Sequence, residues 1–150
     1  MKQLVINPSL CTNCHICELA CAMKHSQTFD LAYSRVRTIH DNVTGITVPQ
    51  ICFQCIDAAC MKSCPADAFY VDPEIGAVRI NYNRCVGCMD CVAGCPFGDM
   101  FTEPKNLGAV FKCDLCEGDP VCARFCPEGA LLYKEMEPLS GKLEMALDES

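Results

Sequence analysis

The sequence predicts an α+β fold of short hairpins and short helices, arranged as two pseudo-symmetric domains with one domain inserted in the other. Two observations predict this class. The 16 cysteines fall into similar groups spread along the 150 residues, and stretches rich in β-branched and aromatic residues flank turn sequences between those groups. A chain of this length accommodates one compact domain or two very small ones.

The cysteine groups form an internal repeat, which carries the most information about the architecture. The first and third groups have the spacing C-x2-C-x2-C-x3-C, whereas the second and fourth carry extra residues before the third cysteine. Every cysteine belongs to a group. The four groups are Cys11, Cys14, Cys17 and Cys21; Cys52, Cys55, Cys60 and Cys64; Cys85, Cys88, Cys91 and Cys95; and Cys113, Cys116, Cys122 and Cys126.

The segments between the groups supply the strands. Residues 69–71 and 77–80 flank the turn residues 72–76, so a β-hairpin is predicted between the second and third groups. A second, weaker hairpin is predicted to join residues 35–39 to residues 45–48.

Short helices are predicted over the three-residue spacers, for example over residues 86–93. Proline follows the last cysteine of three groups, at Pro65, Pro96 and Pro127. Ala22 follows Cys21 instead, so the first helix can continue through Ala22 and Met23, whereas proline interrupts the other three.

The composition favours a metal-binding protein of the cytoplasm. The apolar run near the N-terminus is too short for a signal peptide, and no apolar stretch approaches the roughly 20 residues that cross a membrane. We therefore expect a soluble cytoplasmic protein without membrane insertion, in which thiols stay reduced and cysteine groups hold metal. The formal net charge of −7 argues against nucleic acid as a partner.

The cysteine spacing predicts four [4Fe–4S] clusters. A cubane cluster has four irons, and each iron takes one thiolate. In C-x2-C-x2-C the chain wraps around one cube and supplies three thiolates, while the fourth cysteine, at the far end of a short helix, binds the neighbouring cluster of a two-cluster ferredoxin. Zinc is the main alternative metal, but it takes two cysteines from each of two pairs and leaves the third cysteine of these groups unused.

The pairing of the groups has two solutions. Nested pairing joins the second group to the third and the first to the fourth, whereas sequential pairing joins the first to the second and the third to the fourth. The hairpin between the second and third groups favours nesting, because it makes residues 49–99 a complete small two-cluster unit.

The four motifs together resemble a known family. In chain order they read CTNCHICELAC, CFQCIDAACMKSCP, CVGCMDCVAGCPFG and KCDLCEGDPVCARFCPEGAL. This pattern resembles the four-cluster ferredoxin-like electron-transfer subunits of molybdenum and tungsten oxidoreductases, over about residues 3–134. Within that family the chain looks like the short soluble type, such as the small iron–sulfur subunit of a tungsten aldehyde oxidoreductase.

The resemblance implies nested ligand exchange. It implies a cluster A on Cys11, Cys14, Cys17 and Cys126; a cluster B on Cys113, Cys116, Cys122 and Cys21; a cluster C on Cys52, Cys55, Cys60 and Cys95; and a cluster D on Cys85, Cys88, Cys91 and Cys64. The expected domains are an outer ferredoxin-like domain of residues 1–48 plus 100–136 and an inserted ferredoxin-like domain of residues 49–99. Residues 137–150 are expected to form a polar C-terminal tail.

The resemblance also implies a function. We expect a non-catalytic subunit that passes single electrons to or from a large tungsten or molybdenum catalytic subunit, with a flavin subunit or another redox protein as a further candidate partner. The sequence contains no phosphate-binding loop and no nucleophile elbow. A free soluble polyferredoxin and, from another class, a zinc-stabilised interaction module are the alternatives.

A few residues near the motifs could either take part in the metal sites or have an ordinary structural role. Asp114 lies inside a C-x2-C pair, where we expect it to accept backbone hydrogen bonds in a turn rather than bind metal. Lys112 and Arg84 each precede the first cysteine of a group, and Lys112 is the better candidate for offsetting negative charge near a cluster. The three histidines, His15, His25 and His40, are expected to be ordinary surface or packing residues.

Overall fold

A computed structural model of the chain describes residues 2–135. These residues form eight strands, which pair into four separate antiparallel two-stranded sheets. The predicted tail, residues 137–150, lies outside the described residues. The strands are β1 (Lys2–Ile6), β2 (Val36–His40), β3 (Thr47–Ile51), β4 (Phe69–Val71), β5 (Val78–Ile80), β6 (Phe101–Glu103), β7 (Asn106–Phe111) and β8 (Leu131–Glu135).

Both predicted hairpins are confirmed. Strands β4 and β5 pair with Phe69 opposite Ile80, and the turn between them closes through a 2.8 Å hydrogen bond from Gly76 N to Asp72 O. Strands β2 and β3 pair with Val36 opposite Ile51, so this hairpin extends slightly beyond the predicted residues. The mixed fold with short hairpins is therefore as expected.

Two sheets lie outside the sequence prediction. Strands β6 and β7 form a further hairpin with an irregular register at Thr102 and Glu103. Strands β1 and β8 pair Lys2 with Glu135 and Ile6 with Leu131. Because no local turn joins β1 to β8, nothing in the neighbouring sequence of either strand indicates its partner.

The helices are α1 (Ile16–Ser26), α2 (Ala59–Lys62), α3 (Asp90–Gly94) and α4 (Val121–Arg124). The predicted continuation of α1 through Ala22 and Met23 is confirmed. The predicted helix over residues 86–93 is wrong in its start, because Gly87 and Met89 have φ of +73° and +72° and form a loop before α3. Left-handed backbone of this kind is incompatible with a right-handed helix.

The Cys-Pro sequences stop α2, α3 and α4 in the same way. The N–H three residues after the cysteine donates to the cysteine carbonyl, from Asp67 to Cys64 at 3.5 Å and from Gly98 to Cys95 at 3.4 Å. Proline at the second position of such a turn has the required φ. The chain therefore reverses immediately after the last cysteine of these groups.

The helices pack in two pairs, α1 against α4 and α2 against α3. Two apolar clusters form the core. One contains Cys17, Cys21, Val36, Ile51, Ala77, Cys113, Leu115, Cys122 and Leu131. The other contains Ala58, Phe69, Val78, Ile80, Cys91, Met100 and Val110. Each cluster draws on residues from both sides of the predicted domain boundaries, which stay a prediction. No helix within residues 2–135 has the length and apolar character needed to span a bilayer.

Candidate metal centres

Each cysteine group has a left-handed residue at the same position. The residue before the second cysteine has a positive φ in all four groups: Asn13 +60°, Gln54 +50°, Gly87 +73° and Leu115 +58°. For a non-glycine residue this conformation costs roughly 1–2 kcal/mol, so something in each loop must favour it. A left-handed residue within a turn directs successive backbone N–H groups into one concavity, and such concavities bind anions, including iron–sulfur clusters.

Four cysteines line each of three cavities, and in each case three come from one group and one from another. Together with apolar neighbours, the cysteines of the first cavity are Cys11, Cys14, Cys17 and Cys126. Those of the second are Cys52, Cys55, Cys60 and Cys95. Those of the third are Cys64, Cys85, Cys88 and Cys91. The second cavity is the largest of these three, at about 320 Å³.

The remaining four cysteines also lie together. Cys21, Cys113 and Cys122 belong to the same buried core cluster. Burial raises the pKa of the Cys122 thiol, and the neighbouring thiols of Cys113, Cys21 and Cys116 raise it further. The structure thus brings the sixteen cysteines into four sets of four.

The thiols of these sets need a cation in order to ionise. Burial raises the pKa of Cys17 to about 12, that of Cys113 to about 12 and that of Cys91 to about 11. Such thiols are neutral at pH 7, whereas the metal-bound form is a thiolate. Iron binding therefore couples to proton release, and four convergent sulfurs beside a turn of inward N–H groups fit a cubane cluster.

Backbone N–H groups also reach the sulfur of two final cysteines. Ala68 N lies 3.3 Å from Cys64 Sγ, and Arg35 N lies 3.2 Å from Cys21 Sγ. Hydrogen bonds to cluster sulfurs are one of the means by which a protein sets the reduction potential.

The predicted role of Asp114 is confirmed. Its Oδ1 atom accepts a 3.0 Å hydrogen bond from Cys116 N in the turn. Its Oδ2 atom lies 3.4 Å from Nη1 of Arg35, so the carboxylate and the guanidinium offset each other beside the fourth group.

The histidines differ from one another. His15 contacts Glu18 and His40 contacts Thr47 at 2.7 Å, as expected of ordinary polar residues. The side chain of His25 is only 12% exposed, and its Nε2 lies 3.5 Å from Cys116 Sγ. The general expectation for histidine missed this contact, although a continuous α1 places Cys21 and His25 four residues apart on one face.

The two cations that precede cysteine groups also differ. Arg84 is largely exposed and donates to the Asp67 carbonyl. Lys112 is buried and lines the cavity of Cys52, Cys55, Cys60 and Cys95. The sequence-based preference for Lys112 over Arg84 as the cation near a cluster is consistent with these positions.

Comparison with known proteins agrees with this chemistry. A family model described as "4Fe-4S dicluster domain" matches residues 43–136. The chain is 38% identical over 89 residues to the "Aliphatic sulfonate oxidoreductase, polyferredoxin-like subunit" of Pyrococcus furiosus, covering 59% of this chain and 51% of that protein. It is 33% identical over 94 residues to "Electron transport protein HydN" of Escherichia coli K12, covering 59% and 53%. The chain spans about half the length of the curated relatives it matches.

A solved structure extends the similarity over most of the fold. A chain of the active site complex BamBC of benzoyl coenzyme A reductase aligns with 93% of this chain and 82% of its own length, with a TM-score of 0.56 and 27% identity. The match of the family model, the four cysteine sets and the repeated left-handed positions lead to the same conclusion: this chain belongs to the 4Fe-4S dicluster domain family.

Proposed function

We propose that the chain relays single electrons through four [4Fe–4S] clusters, as a non-catalytic subunit of a larger oxidoreductase. The observation that carries this proposal is the interlocked arrangement of the cysteines, in which each of three cavities is lined by three cysteines of one group and one cysteine of another. When bound, a [4Fe–4S] cluster supplies a one-electron donor and acceptor.

We propose the nested ligand sets for these clusters. Cluster A is held by Cys11, Cys14, Cys17 and Cys126; cluster B by Cys113, Cys116, Cys122 and Cys21; cluster C by Cys52, Cys55, Cys60 and Cys95; and cluster D by Cys85, Cys88, Cys91 and Cys64. The packing of α1 against α4 and of α2 against α3 supports this pairing. The same pairing underlies the proposed outer domain (1–48 plus 100–136) and inserted domain (49–99).

Three contacts between the proposed sets support a linear order. Clusters A and B share α1, which carries Cys17 and Cys21. Clusters C and D share the packed pair α2 and α3. The charge of Cys52 in set C acts on the pKa of Cys113 in set B, which joins the two pairs. We therefore propose the relay order A, B, C, D, with the electron entering at one end and leaving at the other.

The proposed partner is a large catalytic subunit of a tungsten or molybdenum oxidoreductase, with a flavin subunit or another redox protein as a further candidate. The relatives named as a polyferredoxin-like subunit and an electron transport protein support a partner of this kind. So does the similarity to a chain of the benzoyl coenzyme A reductase complex. A cytoplasmic location stays a prediction.

Purification under argon tests the proposal. We expect a brown protein with about 16 iron and 16 sulfide per chain that elutes with a larger redox subunit. About eight iron together with stoichiometric zinc would contradict the four-cluster relay. A monomer that keeps all its iron but elutes without a partner would identify a free electron carrier instead.

A double-mutant experiment tests the nested sets. Nested pairing assigns Cys11 and Cys126 to one cluster, so Cys11→Ala plus Cys126→Ala should alter one cluster and leave three unchanged in electron paramagnetic resonance. The matched control is Cys11→Ala plus Cys95→Ala, which should alter two clusters. Two altered clusters in the first pair would contradict the nested assignment.

A further inference from the structure

Lys112 occupies an unusual position for a lysine. Its side chain is only 3% exposed, it lies next to Cys113 in the chain, and it lines the cavity of Cys52, Cys55, Cys60 and Cys95. Lysine is almost never fully buried unless a partner offsets its charge.

Neutral groups accept all the hydrogen bonds of this ammonium. The Nζ atom donates to Val78 O at 2.5 Å and to Cys113 O at 2.7 Å, and to Gln54 Oε1 at 3.2 Å. Gln54 in turn donates to Cys113 O at 2.8 Å. This network holds the ammonium in place between sets B and C, but it contributes no negative charge.

Residues 2–135 provide no ion-pair partner for Lys112. Two acids line the same cavity. Asp57 is exposed and pairs with Lys62 at 2.6 Å, whereas Asp99 is 2% exposed. Its Oδ1 accepts a 2.9 Å hydrogen bond from Gln50, and its Oδ2 has no hydrogen-bond partner. Burial raises the pKa of Asp99, whereas the hydrogen bond from Gln50 and the charge of Lys112 act to lower it. An unpaired buried cation is costly, so an anionic occupant of the cavity would stabilise the Lys112 ammonium.

We propose that the Lys112 ammonium is the counter-charge of the [4Fe–4S] cluster at Cys52, Cys55, Cys60 and Cys95, and that it gives this cluster the highest reduction potential of the four. The inference rests on the proposed function. Reduction adds one negative charge to the cluster, and a nearby fixed cation stabilises the more negative state.

Within residues 2–135, the linings of the other two cavities contain no lysine or arginine. The cavity of Cys11, Cys14, Cys17 and Cys126 is lined by Glu128, and that of Cys64, Cys85, Cys88 and Cys91 has no charged side chain in its lining. Near the fourth set, Arg35 is already offset by Asp114. Cluster C, third in the proposed order, therefore retains the electron for longest within the relay.

A redox titration of the holoprotein followed by electron paramagnetic resonance tests this assignment. Lys112→Met keeps the length of the side chain and removes its charge. We expect the reduced-to-oxidised ratio of the highest-potential cluster to fall at least tenfold at a fixed electrode potential, which equals 59 mV for one electron. The other three clusters should shift less. Cys60→Ser, which changes the spectrum of this site alone, identifies the signal.

Three further variants make the result decisive. Lys112→Arg keeps the charge and should keep the potential, whereas Lys112→Gln keeps a hydrogen-bond donor and should lower the potential even if the methionine variant folds poorly. Arg84→Met is the matched control, because Arg84 also precedes a cysteine group but its side chain is 58% exposed; it should leave all four potentials unchanged. An unchanged highest potential in iron-replete Lys112→Gln would overturn the inference. A low iron content in the wild type would instead overturn the proposed function.

Discussion

The first and third cysteine groups have the same spacing but different helices. Their loops match closely: Asn13 and Gly87 have φ of +60° and +73°, and His15 and Met89 have φ of +62° and +72°. The groups diverge only after the fourth cysteine. There α1 continues to eleven residues, whereas α3 ends after five.

A single position accounts for the divergence. Pro96 begins a turn after Cys95, whereas Ala22 allows α1 to continue until Gln27, whose N–H donates to Met23 O at 3.0 Å. The cysteine spacing therefore determines the metal loop, and the residue after the last cysteine determines where the chain goes next.

The longer helix changes the surroundings of the sulfurs. In the second group, Cys64 Sγ accepts a hydrogen bond from Ala68, four residues later. In the first group, Cys21 Sγ accepts one from Arg35, fourteen residues later. The extra helical turn also carries His25 to Cys116. The same motif thus gives each cluster a different environment.

Removal of iron should have the largest effect on stability. It also tests whether the longer helix α1 remains folded when the shorter helices unfold. An isolated two-stranded sheet is marginal in water, and so is a helix of fewer than about 12 residues. We expect anaerobic chelation to abolish most of the secondary structure detected by circular dichroism. A cooperative thermal transition in the iron-free protein would contradict this.

Ala22→Pro should convert the first group to the Cys-Pro type. Proline inside a helix removes a hydrogen bond and clashes with the carbonyl four residues before it, at a cost of about 3 kcal/mol or more. Ala22 is 0% exposed, so the site cannot relax into solvent. We expect a large fall in the thermal midpoint of the holoprotein under argon.

The reverse change, Pro96→Ala, serves as the control for that variant. The turn keeps its hydrogen bond from Gly98 N to Cys95 O, so we expect a loss of no more than about 1 kcal/mol, from the freer unfolded chain. If both substitutions lower the thermal midpoint equally, the helix length does not depend on the residue that follows the fourth cysteine.

Gly94→Ala should cost about 1–3 kcal/mol through overpacking. An added Cβ would collide with Ser63 Oγ and approach Ser63 Cβ to 2.9 Å. Ser63→Gly removes both atoms, so the double variant should be no less stable than Ser63→Gly alone. Ala20 holds the equivalent position in α1, and Ala20→Gly should cost only about 0.5–1 kcal/mol. Denaturant titration of the holoproteins measures all four.

The left-handed positions of the first and third groups provide a further comparison. Asn13→Ala should cost about 1 kcal/mol, because alanine tolerates this conformation less well than asparagine. Gly87→Ala should cost more, because its Cβ would also lie 2.6 Å from Gly108 O. If the two variants are equally stable, the close approach of Gly87 to Gly108 in β7 does not affect the stability of the protein.

Sequence reasoning succeeded for several local features, although it missed the hairpin of β6 and β7. The two predicted hairpins contain their own turns, and Ala22 in place of proline predicts that α1 continues past Cys21. It failed where the interacting residues are far apart in the sequence. Neither β1 nor β8 contains a signal for pairing with the other. The contact between His25 and Cys116 likewise depends on the packing of α1 against the fourth group. The positive φ of Gln54 and Leu115 was also not predictable, since neither residue favours it.

The cavity of Cys11, Cys14 and Cys17 has a consequence for biosynthesis, because its fourth cysteine is Cys126. The ribosome adds Cys126 about 100 residues after Cys17. At a translation rate of roughly 5–20 residues per second, the first three thiols therefore exist for roughly 5–20 s before the fourth is made. The four cysteines that line the cavity of Cys52 are all translated by residue 95. A protein that inserts clusters during translation would therefore find the four cysteines of the cavity of Cys52 complete before the four cysteines of the cavity of Cys11.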